Sequence, residues 1–309
     1  MKKILKIILG IVLVLLLGFS VFLSYEINSA VTNLTSQEDT VKNTGKYLDQ
    51  HDFDLEEFRS TYNIKEETIK NTVDDYDFKI STFNMDQAGD VFIFLHGMGG
   101  GGDTMDPLAK TFLDNGYSSI VYDQMNSGSH PIKKNAFGVK EKNDLISLID
   151  YIKENYPNKK INLFAESYGA STVLQAYMEV KDKINLIILD SPMSRGEEMI
   201  DPGFKQSEKE TGLPWKVAKF LGNMGSRVLE GYSYQDTNSI DKIDKITNPI
   251  LIISAKNDQV TSFDQAQAVY DKASDKRELL LSKSDHAEMF FNENERYLKG
   301  IDDFLKKYD

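Results

Sequence analysis

From about residue 76 onward, short wholly apolar runs alternate with longer stretches whose apolar positions recur every three or four residues. Few folds accommodate that rhythm. DVFIFLHG (90–97), YSSIVYD (117–123), KINLFAE (160–166), INLIILD (184–190), PILIISAKND (249–258) and RELLLSKSDH (277–286) read as strands, with YDFKISTF (76–83) ahead of them. TMDPLAKTFLDNG (104–116), VKEKNDLISLIDYIKENYP (139–157), the stretch from about Gly169 to Val180, residues near 262–273 and NERYLKGIDDFLKKY (294–308) read as helices. A strand that is apolar at every position is buried on both faces, and the amphipathic helices between such strands are the crossovers that bury them. The expectation is an α/β fold, a mostly parallel sheet with helices on both faces.

The rhythm breaks over 192–247, which has helix-like pieces, no strand pattern and the only tryptophan, Trp215. This insertion follows the carboxyl end of a strand, where open α/β sheets bind ligands, so it is expected to form a cap. Its Met193, Met199, Phe204, Leu213, Phe220, Leu221 and Met224 give it an apolar surface suited to an apolar substrate. Residues 27–75 are polar and charge-rich and read as a stalk with helical stretches, in which His51 is expected to be solvated.

The N-terminus is different again. Lys2, Lys3 and Lys6 precede an apolar run from Ile7 to Leu23. That length lies at the lower limit of the roughly 17–25 residues that cross a bilayer and is long for a signal-peptide core of about 7–15. The cleavage-like INSA at 27–30 carries a poorly suited Asn28. Residues 1–26 therefore read as an uncleaved signal-anchor, with a cleaved signal peptide as the alternative. In either case the lysines stay inside and the remainder is exported. The net charge of −12 argues against nucleic-acid binding, which needs clustered Lys and Arg. The absence of cysteine excludes disulfides, thiolate metal sites and a cysteine nucleophile.

HGMGGGGDT (96–104) admits two readings. Gly97, Gly99 and Gly102 satisfy G-x-G-x-x-G between a strand and a helix, with Asp123 ending the next strand, as in an NAD-binding fold. Alternatively, the loop is an oxyanion hole, where glycines let backbone amides approach a developing negative charge. LFAESYGAST (163–172) then puts Ser167 at a strand–helix corner, where it is either a helix cap or a nucleophile on a strained elbow. A serine nucleophile needs a base, and the base needs an orienting acid. Of four histidines, His286 alone follows the last strand, whereas His96 belongs to the glycine loop and His130 precedes Pro131. Asp258, after the penultimate strand, is the candidate acid; Asp190, which also ends a strand, is the other. Only the oxyanion reading gives Ser167, Asp258 and His286 a role.

FLHGMGG, AESYGAS, SAKND and DHAE, in that order, together with GYSYQDTNSIDKI, resemble the α/β-hydrolase superfamily. The likeness is to membrane-anchored or secreted bacterial serine hydrolases of the serine-aminopeptidase-like and monoglyceride-lipase-like branch, over about 76–309. It implies a nucleophile at Ser167, a general base at His286, an orienting acid at Asp258, and oxyanion donors in the amides of Met98 and Tyr168. Gly97 and Trp215 are expected to contact substrate. The implied reaction needs no cofactor or metal, and the implied partner is a small ester or acyl compound. Peptidase activity is the alternative within hydrolases; an NAD enzyme and a non-catalytic binding protein are the alternatives outside them. Two departures stand out: the first elbow glycine is Ala165, and DQMNSGSH (123–130) replaces the usual D-x-R-G-x-G-x-S.

Overall fold

The computed structural model describes residues 2–308. In chain order it contains helices α1 (Lys2–Thr32), α2 (Gln37–Gln50) and α3 (Leu55–Thr61), then strands β1 (Ile64–Lys70), β2 (Asp77–Phe83) and β3 (Val91–Leu95). There follow α4 (Asp106–Asp114), β4 (Ser118–Tyr122), α5 (Lys142–Asn155), β5 (Ile161–Glu166), α6 (Tyr168–Val180), β6 (Ile187–Asp190), α7 (Glu197–Thr211) and α8 (Trp215–Leu229). The chain closes with β7 (Ile250–Ala255), α9 (Phe263–Lys272), β8 (Arg277–Ser282), α10 (Met289–Asn292) and α11 (Asn294–Tyr308). Two compact units result: the N-terminal segment through Leu34 with Glu197–Asp236, and Thr35–Gly196 with the chain from Thr237 onward.

The larger unit is built on an eight-stranded sheet of order β1-β2-β4-β3-β5-β6-β7-β8. β1 and β2 run antiparallel to their neighbours, and all other pairings are parallel. Strand alternation sorts the side chains between two cores. Val91, Ile93 and Leu95 of β3 face the cluster that holds Leu148 and Ile152 of α5 and Val173 and Tyr177 of α6. Phe92 and Phe94 face the opposite cluster, with Phe112 of α4 and Phe304 of α11. Each such burial stabilises the fold by about 1.5–3 kcal/mol relative to an exposed side chain. The apolar strands needed cover on both faces, and this arrangement supplies it.

The segment read as a stalk differs from expectation. β1 forms the sheet edge, and α2 and α3 belong to the same unit as the sheet. Lys65, Glu66, Glu67 and Lys70 leave β1 with Ile69 as its one buried side chain, so no apolar alternation marks it. Charged edge strands of this kind discourage pairing with other chains. His51 is not simply solvated: its ring stacks on Phe291 at 3.4 Å between centroids. The insertion is also narrower than 192–247. Ser194 is bound to Gln265, and Ile240, Ile243 and Ile246 lie in the sheet's core.

The smaller unit is helical. α1 is continuous past residue 26 to Thr32. Its apolar side chains from Ile7 to Phe22 are exposed, whereas Ser24 and Asn28 are buried. Those two pack on α8, where small residues permit close approach. A Cβ at Gly225 would lie 2.4 Å from the Ser24 carbonyl oxygen, and one at Gly222 would lie 2.6 Å from Ile27 Cγ2. Lys219 of α8 bridges Glu197 at 2.8 Å and Asp201 at 2.6 Å, tying α8 to α7.

Candidate active site

Ser167 stands alone between β5 and α6 with φ 49° and ψ −108°. A non-glycine residue there is strained by about 1–3 kcal/mol and persists only where its surroundings over-determine it. They do so here. The Ser167 amide donates to the Asp190 carbonyl at 2.8 Å, and its own carbonyl accepts from Met193 N at 3.0 Å and Ala170 N at 3.1 Å. A Cβ at Gly169 would sit 2.4 Å from the Leu95 carbonyl oxygen, so the second elbow glycine is required. Ala165 is fully buried opposite Leu95 and Leu189 in the sheet register, and its methyl group fits there.

His286 follows β8, and its Nε2 is 2.9 Å from Ser167 Oγ. Its Nδ1 is 2.7 Å from Asp258 Oδ2. With Nδ1–H donating to the carboxylate, Nε2 is free to accept the serine proton. Asp258 is itself held: its Oδ1 accepts Val260 N at 2.7 Å and Thr261 N at 2.9 Å. Burial raises the Asp258 carboxyl, but the His286 hydrogen bond and charge and the two amides outweigh it, so the net shift is downward. Burial pulls the His286 imidazole down, yet Asp258, with Glu166 and Asp190, leaves it above its ordinary value.

Asp190 is engaged elsewhere. It accepts Tyr297 OH at 2.9 Å and Ser191 Oγ at 3.0 Å, and desolvation, against those hydrogen bonds, pushes it up to about 6. Glu166, half-buried beside the serine, is pushed up to about 7, mainly by desolvation and next by Asp190.

The glycine loop curls against the elbow. A Cβ at Gly97 would lie 2.8 Å from Glu166 Oε1 and 3.6 Å from Ser167 Cβ. Met98 therefore follows a residue in contact with the serine, and Tyr168 is the serine's direct neighbour at the start of α6. Tyr168 also buries its hydroxyl against Glu141 and Phe137 N. Gly97, Met98 and Glu166 line a cavity of about 380 Å³ with Lys46 and Tyr47. The motif glycines answer to local geometry: Gly99 has φ +89°, and a Cβ at Gly102 would meet the Tyr122 carbonyl at 2.9 Å. Asp123, the residue assigned to ribose in the dinucleotide reading, spends its carboxylate on Gly102 N at 2.9 Å and Ser129 N at 2.7 Å. Trp215 lies in the helical unit, its ring flanked by Lys205 and Lys216 at 5.5 and 5.7 Å.

Sequence reading missed the bracing of this loop by α2. Gly101 N donates to Thr44 Oγ1 at 2.8 Å and Asn43 Nδ2 donates to the Gly99 carbonyl at 3.0 Å, while in the separate 123–130 segment Gly128 N donates to Thr40 Oγ1 at 3.0 Å. The spacing of Thr40, Asn43 and Thr44 on one helical face was the available signal. Gln124, in the atypical DQMNSGSH, accepts from Thr172 Oγ1 and donates from its side chain to the His96 carbonyl, both at 2.7 Å. It thereby links the glycine loop to α6.

The family model described as the alpha/beta hydrolase fold matches residues 90–229. An esterase from Pyrococcus furiosus superposes with a TM-score of 0.65 at 21% identity, covering 83% of this chain and 94% of that one. The uncharacterized protein YqkD of Bacillus subtilis is 25% identical over 198 residues, 63% of this chain and 64% of that protein. Lysophosphatidylserine lipase ABHD12 of Danio rerio is 24% identical over 196 residues, 61% of this chain and 48% of that protein. The match thus spans about half to two thirds of the curated relatives' length. Together these likenesses identify the fold as that of the alpha/beta hydrolases, with the family model matched over residues 90–229.

Proposed function

We propose that the chain is a serine hydrolase that cleaves carboxylic esters through an acyl-enzyme. The observation that carries this is the unbroken hydrogen-bonded run from Ser167 Oγ through His286 to Asp258. In this reading His286 Nε2 takes the Ser167 proton as Oγ bonds to the substrate carbonyl carbon. The carbonyl electron pair moves to oxygen, and the amides of Met98 and Tyr168 stabilise that oxyanion; one such donor contributes about 2.7–4 kcal/mol in a related setting. The imidazolium, stabilised by Asp258, returns its proton to the leaving alcohol. Water, deprotonated in turn by His286, then releases the acid and restores the Ser167 hydroxyl.

Labelling with a fluorophosphonate probe tests the nucleophile, with Ser167→Ala as the comparison; labelling that survives the substitution ends the assignment. Peptidase action is a second reading with one observation in its favour. Glu166 in the cavity beside Ser167 offers a carboxylate to a substrate ammonium. A panel of p-nitrophenyl esters and aminoacyl anilides separates the two.

The same reading makes α1 a retained membrane anchor and the helical unit a cap, with Trp215 as its substrate contact. α1 is the helix, among the described residues, that is long and apolar enough to cross a bilayer. Retention is supported by the cleavage-like Ile27–Ala30, which is helical with Asn28 buried. Cleavage after Ala30 would strip α8 of its packing partners Ser24 and Ile27. Lys2, Lys3 and Lys6 orient the anchor with the hydrolase unit outside. Membrane fractionation with protease accessibility checks this; a hydrolase unit protected in intact cells refutes it.

A further inference from the structure

The helical unit holds a second, partly open cavity of about 380 Å³, lined from one side by Leu23, Ile27 and Val31 of α1 and from the other by Phe204, Leu213 and Ala218. This lies in the range of small-molecule sites, roughly 300–1,000 Å³. Among the described residues no charged side chain lines it, and Ser207 and Thr211 supply its only side-chain oxygens. We propose that this cavity binds the acyl chain of a membrane lipid.

The occupant is identified by continuity along one helix. The side chains of α1 that precede the cavity are apolar and exposed, among them Leu17 at 59%, Phe19 at 61% and Phe22 at 57%. Among the described residues no protein segment covers them, and lipid is the solvent that such a run suits. Leu23 ends that run and begins the cavity. From Leu23 to its end at Thr32 the helix rises about 14 Å, so the cavity extends the apolar surface of the span out of the bilayer. A chain leaving the bilayer along α1 meets apolar contacts without a gap, and the Ser207 hydroxyl of α7 is the cavity group that can donate to an oxygen atom of its ester or carboxyl end, since the Thr211 hydroxyl donates to the Ser207 carbonyl at 2.8 Å. α7 carries Pro202 within the helix and, next to it, Gly203, a lining residue whose added Cβ would meet nothing within 4 Å. That space admits a filling side chain without a clash. The proposal rests on retention of α1, and it is independent of the chemistry at Ser167.

The test uses the full chain in nanodiscs containing either a diazirine-bearing fatty acid or a diazirine-bearing phosphatidylcholine, with crosslinks mapped by peptide mass spectrometry. Labels are expected on residues 27–34 and 199–213 as well as on 7–22. In Gly203→Leu the first two sets fall at least several-fold while labelling of 7–22 is unchanged. Ala30→Phe, which fills the cavity from α1, repeats the result should Gly203→Leu fold poorly. The two lipid arms tell a free fatty acid from a bilayer phospholipid. Labelling confined to 7–22, or cavity labelling indifferent to both substitutions, overturns the proposal. The intact mass of the extracted protein reports separately whether α1 is retained.

Discussion

β5 and β6 lie side by side and end alike, each in an acid followed by a serine in left-handed backbone. Glu166 pairs with Asp190 in the sheet, and Ser167 and Ser191 have φ of 49° and 47°. Beyond the serines the two segments diverge. Ser167 leads directly into α6, and its hydroxyl meets His286. Ser191 leads into a loop, where its hydroxyl donates to Asp190 and accepts from Ala287 N at 3.0 Å. One serine is presented to an imidazole, and the other anchors the loop that carries that imidazole. Strained backbone thus marks both positions, but the partner of the hydroxyl separates the proposed nucleophile from a scaffolding serine.

Substitution of the two serines should break this symmetry most sharply. Ser167→Ala is expected to lower ester hydrolysis by about 10⁶ in kcat, the scale found where a triad serine is removed. Ser191→Ala should keep activity within about tenfold while losing about 1–3 kcal/mol of stability through the unsatisfied Ala287 amide. Equal losses of activity would erase the distinction. The two acids come next: Asp258→Asn should cost about 10⁴ in kcat by leaving His286 in the wrong tautomer, and Asp190→Asn far less. Esterase assays on thermally characterised variants decide both.

Gly169→Ala probes the elbow itself. The new methyl cannot coexist with the Leu95 carbonyl, and a destabilisation of about 1–3 kcal/mol is expected in denaturant titration. An unchanged midpoint would mean that α6 shifts freely. Glu166→Gln concerns the acid beside Ser167. In the proposed mechanism the free imidazole of His286 is the base, so kcat/KM is expected to rise with pH through its pKa. Glu166 is one of the charges that raise that pKa, and neutralising it moves the rising limb to lower pH. A limb that stays put or moves upward contradicts this. Smallest of all, Thr44→Val should cost about 1 kcal/mol by removing the acceptor of Gly101 N, with kcat reduced more than KM is changed.

The central strands were legible because both of their faces are buried, and every position of VFIFL or ILIISA had to be apolar or small. β1 was not legible, since IKEETIK buries a single side chain at the sheet edge. The elbow could be read from AESYGAS because backbone strain and close packing restrict the residue types there. The role of α2 escaped notice, since Thr40, Asn43 and Thr44 bond to loop backbone and ask nothing distinctive of composition. Asp190 and Asp258 could not be ranked from their strand-end positions alone.

What the linear chain determined by itself is whatever local chemistry enforces: apolar strands, amphipathic helices, small residues around a strained serine, and an N-terminal run too apolar to leave in water. What tertiary structure alone decided is which distant groups meet. It gave His286 to Asp258 and Ser167, and Asp190 to Tyr297. It also drew α2 onto the glycine loop and packed Ser24 of α1 against Gly225 of α8. The reason is physical: a hydrogen bond or a close backbone contact depends on ångström-scale placement, and that placement arises only once the apolar cores on both faces of the sheet have closed.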